Sequence, residues 1–110
     1  IVGGFNAYPA EIENHLLHHP DLAAAAVIGV PDERLGEVGM AFVVPRAGAT
    51  VDPDQVVAWA RDQMANYKAP RSVVVLDELP FNATGKVEKN VLREQHKDLY
   101  AAAAQAAHTG

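Results

Sequence analysis

Two apolar runs, Ala24 to Val30 and Val38 to Val44, flank a short polar connection from Asp32 to Glu37, and this spacing constrains the fold more than any other feature. Each run has the length of a strand and is bounded by turn residues, Pro31-Asp32 after the first and Pro45 after the second. A connection this short, carrying Gly36, suits an antiparallel pair. Ser72 to Leu76, rich in valine, predicts a third strand. Helical signals lie between and around these runs. Pro9 is a favoured first helical residue. Glu11 and Glu13 follow it, Ile12 and Leu16 share a face, and His18, His19 and Pro20 predict the end of that helix. A second helix is expected from Asp52 as N-cap, with Pro53 next and Gln55 in a capping-box position; Val56, Trp59, Ala60 and Met64 recur at helical spacing. Tyr67 to Arg71 breaks it, Asp77 to Lys86 reads as a loop, and a last helix is expected from Glu88 through Val91, Leu92 and Leu99. The alanine-rich stretch from Ala101 has helix propensity but nothing large to bury. The order predicts an α+β domain: a small three-stranded, mainly antiparallel sheet flanked by helices.

Composition bounds the function classes. With 110 residues, 49% apolar and 21% charged, one globular domain is expected. The absence of cysteine removes disulfides and thiolate metal sites and fits a reducing cytoplasm. There is no apolar run long enough for a membrane span and no secretory signal at the start. A net charge of −5, with nine basic residues that form no long run, argues against nucleic acid as a partner. The sequon Asn82-Ala83-Thr84 reads as chance in a chain without a secretory signal. The first residue is Ile1 and the chain opens on an apolar segment, so a fragment of something longer is expected.

The chemistry concentrates in Leu79-Pro80-Phe81-Asn82-Ala83-Thr84-Gly85-Lys86-Val87-Glu88-Lys89. Pro80 fixes one end, Thr84-Gly85 permits a sharp turn, and an extended Val87 puts Lys86 and Glu88 on the side opposite its own anchor. A lysine placed this way meets a phosphate or carboxylate as a point charge. At an effective dielectric near 20 that contact is worth up to ~4 kcal/mol, about a thousandfold in rate if made only in a transition state. A phosphate-binding P-loop is excluded, since Pro80 stands where its first glycine belongs and Val87 where its Ser or Thr belongs.

This segment resembles the last core motif of the acyl-adenylate-forming enzymes, which include acyl- and aryl-CoA synthetases, luciferases and peptide-synthetase adenylation domains. Gly3-Gly4-Phe5-Asn6-Ala7-Tyr8-Pro9-Ala10-Glu11-Ile12-Glu13 resembles the stretch after that family's interdomain hinge. Val27-Ile28-Gly29-Val30-Pro31-Asp32-Glu33 with Gly36-Glu37, and Tyr67-Lys68-Ala69-Pro70-Arg71, fit between them in the family's order. The resemblance implies that residues 1–100 are the mobile C-terminal domain of an acyl-CoA synthetase and 101–110 a tail, with the large N-terminal domain as partner. It implies two half-reactions: ATP and a carboxylic acid give an acyl-adenylate, and CoA then displaces AMP. Lys86 matches the lysine that serves the first. Gly3 and Gly4 would line the pantetheine channel in the second, and Tyr67, Lys68 and Arg71 fall where relatives contact the CoA nucleotide. Mg2+ is expected through ATP and the large domain, and no turnover is expected from this chain alone. Leu35 stands where some aryl-CoA relatives carry an aromatic residue. The alanine-rich composition suits a high-GC bacterium, and a fatty-acid or sterol-fragment acid is the substrate class this suggests.

Plainer readings stand beside these. Gly3-Gly4 also suits an ordinary hairpin tip. Tyr67 would then pack under the second helix, and Lys68 and Arg71 would be solvated charges. His15, His18 and His19 suit a helix C-terminus better than a metal, since no third ligand is near and no HExxH pattern exists. Asp32-Glu33 and Asp77-Glu78 read as solvated turn acids, and Trp59 as core. Two other functions remain open: a non-catalytic module that binds an anionic partner, and a peptide-synthetase adenylation domain.

Overall fold

The two long apolar runs pair as their spacing requires. The computed structural model of the chain describes residues 9–32, 36–64 and 69–95. Strand β1, Leu22–Asp32, lies antiparallel to β2, Gly36–Pro45, with Val30 opposite Val38, Ile28 opposite Met40 and Ala26 opposite Phe42. The prolines expected to close these strands lie within them, because the ladder includes the pairs Pro31–Glu37 and Leu22–Pro45. The register shifts between Leu22 and Ala24.

Helix α1, Pro9–Leu16, precedes the hairpin, and α2, Pro53–Gln63, follows it. The chain then returns as β3, Ser72–Val75, which pairs with β2 in parallel, giving the order β1-β2-β3. Most of the sheet is antiparallel, as expected, but this edge makes it mixed. The reason is the connection: a strand that leaves β2, passes through a helix and comes back beside it runs the same way.

One sheet face forms the main core. Val27, Ala41 and Val73 lie in one row across the three strands, and Ala25, Val43 and Val75 in the next. Ile12 and Leu16 of α1 and Val56 and Ala60 of α2 belong to the same buried cluster. The opposite face is buried as well through Ala26, Ile28, Met40 and Phe42. Helix α2 starts as its sequence dictates: Asp52 Oδ1 accepts from the Asp54 N–H at 2.9 Å, with Pro53 between them. The cap is thus made to the second helical residue, while the Gln55 side chain is exposed. Trp59 is only partly buried, at the rim of the core rather than within it.

Helix α1 ends at Leu16, before the histidines expected in its last turn. The His18 and His19 N–H groups instead donate to His15 and Leu16 carbonyls, a tightening that closes the helix. His15 and His19 stand edge-on to Trp59, with ring centroids 6.2 and 5.0 Å away, and His19 Nδ1 accepts from the Asp21 N–H. These rings are accounted for by packing more than by the helix dipole.

Helix α1 has 8 residues, too few to persist alone, so tertiary ties must hold it. One is Glu13, whose Oε2 accepts from the N–H of buried Val27 at 2.8 Å. Glu13→Ala leaves that N–H without its partner and is expected to destabilise the chain by about 1–3 kcal/mol in urea unfolding. Glu13→Gln keeps an acceptor and should recover part of the loss; equal losses for the two variants would show that the bond contributes nothing.

The chain divides into two compact units, Ile1–Leu79 and Pro80–Gly110. The elements above belong to the first. In the second, residues 81–87 form a tight ribbon and 89–95 are helical, with Leu92 buried. Leu99 and the alanine-rich tail lie outside the described residues. Among the described residues no helix is long and apolar enough to cross a membrane.

Candidate functional site

Lys86 sits on a hairpin made almost entirely by hydrogen bonds. Phe81 and Val87 form an antiparallel bridge. Inside it, the Asn82 N–H donates to the Lys86 carbonyl at 2.8 Å, and the Gly85 N–H donates to the Asn82 carbonyl at 3.0 Å, closing a four-residue turn. Gly85 has φ +84°, a left-handed conformation that only glycine adopts without cost. A Cβ there would meet nothing within 4 Å, so glycine serves backbone geometry and not space. Outside the bridge, the Glu88 N–H donates to the Pro80 carbonyl at 2.8 Å. The Glu88 carbonyl then accepts from the N–H groups of Val91 and Leu92, which starts the helical segment.

The Asn82 side chain ties this ribbon together. Its Oδ1 accepts from the Thr84 N–H at 2.9 Å, the Thr84 hydroxyl at 2.7 Å and the Lys86 N–H at 3.0 Å. Val87 is half-buried while Lys86 is exposed, but Glu88, expected on the same side as Lys86, is half-buried like Val87. Among the described residues no side chain pairs with the Lys86 ammonium. A cation held at its base, with no side-chain partner among the described residues, can meet an anion as a point charge.

Arg71 precedes β3. Its N–H donates to the Gly39 carbonyl at 2.9 Å, which extends the parallel ladder by one bond, and buried Ala69 and Pro70 fix the chain before it. The Arg71 side chain is exposed. Tyr67, Lys68, Gly3 and Gly4 lie outside the described residues, as does Leu35. Lys86 and Arg71 belong to different compact units. Among the described residues no group of three or more His, Asp or Glu side chains gathers where a metal ion could be held.

Two contributions do not show in the sequence pattern. Glu13 suits the helix dipole by position, yet its side chain bonds a strand. Asn82 and Thr84 match a sequon by chance, yet they organise the lysine loop. A signal for the second exists: asparagine bonds backbone two residues ahead in Asx turns, and here that residue is a threonine before Gly85-Lys86.

The chain is similar to known proteins. The model of the AMP-binding enzyme C-terminal domain family matches residues 11–86, ending on the lysine. A 3-[(3aS,4S,7aS)-7a-methyl-1,5-dioxo-octahydro-1H-inden-4-yl]propanoyl:CoA ligase of Rhodococcus jostii is 58% identical over 88% of this chain and 19% of its own length. A feruloyl-CoA synthase of an Amycolatopsis species is 50% identical over 86% of this chain and 19% of its own. The crystal structure of apo MatB from Rhodopseudomonas palustris superposes with a TM-score of 0.77 at 47% identity, over 84% of this chain and 19% of that one. The chain therefore spans about a fifth of the length of the relatives it matches.

Proposed function

Because the chain belongs to the AMP-binding enzyme C-terminal domain family, we propose that it serves an ATP-dependent acyl-CoA ligase whose large domain supplies most of the active site. In this reading residues 1–100 are the domain and 101–110 a tail. The observation that carries the proposal is the exposed Lys86 side chain, without a partner among the described residues, on a hydrogen-bonded hairpin at the end of the family match.

In the first half-reaction a carboxylate oxygen bonds to the α-phosphorus of ATP and pyrophosphate leaves. Lys86 would lie between the carboxylate and the phosphate oxygens and offset the negative charge that accumulates as the two anions meet. In the second, the CoA thiol attacks the acyl carbonyl and AMP leaves. Gly3 and Gly4 would leave room for the thiol arm, and Tyr67, Lys68 and Arg71 would receive the CoA nucleotide. The two relatives named above carry different acyl groups in their names, a bicyclic propanoyl and a feruloyl, yet are identical to this chain at half or more of the aligned positions. That pattern supports a domain devoted to the shared chemistry, with the acid chosen elsewhere. Mg2+ would be bound through ATP and the large domain. The cysteine-free composition supports a cytoplasmic location.

The test uses the full-length enzyme carrying Lys86→Ala, with pyrophosphate release from ATP and acid measured separately from thioester formation on a preformed acyl-adenylate. Loss confined to the first supports the proposal, and equal loss in both sinks it. The CoA assignment is tested independently: Arg71→Ala is expected to raise the KM for CoA about tenfold, the worth of one charge-assisted hydrogen bond. An unchanged KM for CoA would return Arg71 to the solvated surface.

A further inference from the structure

We infer that Asn82 is the positioning residue for Lys86, holding the base of the lysine so that its ammonium is delivered to the reacting anions in one place. The inference rests on the assignment of Lys86 to adenylate formation.

Both backbone polar groups of Lys86 are bound by this one residue. The Lys86 N–H donates to Asn82 Oδ1, and the Lys86 carbonyl accepts from the Asn82 N–H. No packing could do the same work, because every residue from Phe81 to Lys86 is exposed, Phe81 at 57%. The weak point of such a ribbon is Gly85. It directly precedes the lysine, takes a left-handed φ and has open space around it, so rotation there would swing the whole lysine arm. Asn82 Oδ1 is bonded by the N–H groups on both sides of that glycine, Thr84 before it and Lys86 after it. One acceptor thus clamps the flexible position. The Thr84 hydroxyl donates to the same oxygen and holds it in place.

The residue type fits this task. The atom at the centre receives backbone N–H groups, so it is the carboxamide oxygen and not the nitrogen. Aspartate could accept the same bonds, but would set a negative charge in the loop whose cation must stay available. Asparagine is an acceptor of the same reach without that charge.

The experiment uses the full-length ligase with Asn82→Ala, Lys86→Ala and the double variant, and reads each half-reaction together with the thermal midpoint. Asn82→Ala is expected to lower kcat for adenylate formation by about 10- to 100-fold, the cost of a misplaced catalytic group, while the thioester step from preformed acyl-adenylate keeps its rate. In the Lys86→Ala background the same change should cost no more than about twofold, because a residue that acts through the lysine has nothing left to position. Thr84→Val removes one donor and keeps both backbone bonds; it should lower adenylation severalfold, with Thr84→Ser restoring it. This pair decides the matter if Asn82→Ala does not fold. Equal loss in both half-reactions, or losses that multiply in the double variant, would make Asn82 a structural residue only and overturn the inference. Lys86→Ala alone retaining adenylation would be a separate failure, that of the lysine's own assignment.

Discussion

Full-length enzyme carrying Lys86→Ala is expected to form acyl-adenylate about a thousandfold more slowly while still making thioester from a preformed acyl-adenylate. The size follows from charge. A unit cation some 4 Å from an anion at an effective dielectric near 20 contributes ~4 kcal/mol, close to three decades in rate. The asymmetry follows from where the charge is needed. Bringing a carboxylate against a triphosphate joins two anions, whereas a thiol attacking a neutral acyl carbonyl releases one. A cation placed for the first encounter has little to stabilise in the second. Lys86→Arg is informative beside it, because a guanidinium keeps the charge but presents a planar fork where a compact ammonium sat. Arginine should recover only part of the rate. Full recovery would mean that charge alone matters, and would remove the need for a positioned lysine. Unaltered adenylation in Lys86→Ala would leave the chain as a binding module attached to a catalyst that does not use it.

What the sequence disclosed about this fold depended on range. The β1–β2 hairpin was readable because its cause is local: two strand-length apolar runs and a connection too short for anything else. The start of α2 was readable for the same reason, since Asp52 and Pro53 act on the turn that follows them. The pairing of β3 was not, because its direction depends on which strand it joins after a helix. The end of α1 was not, because the His18 and His19 N–H groups turn back to the His15 and Leu16 carbonyls while the His15 and His19 rings meet Trp59, a distant contact that no periodicity of α1 encodes. The site divides in the same way. Gly85-Lys86 announced itself through a motif and the conformational demand of a glycine. Asn82 did not, since its role lies in three hydrogen bonds to one oxygen, and a side chain in a polar loop carries no pattern of burial to reveal it.

Phe42→Ala is expected to have the largest effect on stability, about 3–5 kcal/mol. Phe42 is 0% exposed and lies on the central strand, opposite Ala26 of β1 and Val74 of β3. A small alanine on one side leaves the ring to fill the space, so truncation would open a cavity that the two flanking strands, held by backbone ladders, cannot close. Against a total stability of roughly 5–15 kcal/mol for a domain of this size, that is about a fifth or more of what holds it folded. The melting midpoint should fall by about 12–40 °C. Phe42→Leu, which keeps most of the volume, should cost less than about 1.5 kcal/mol. Phe81 supplies the internal control. It is the same residue type, 57% exposed on the hairpin of the second unit, and its bridge with Val87 is worth about 0.2–1 kcal/mol. Urea unfolding of Phe42→Ala, Phe42→Leu and Phe81→Ala therefore ranks burial against residue identity. Comparable losses at positions 42 and 81 would contradict the β1-β2-β3 register, because that register alone puts Phe42 between two strands.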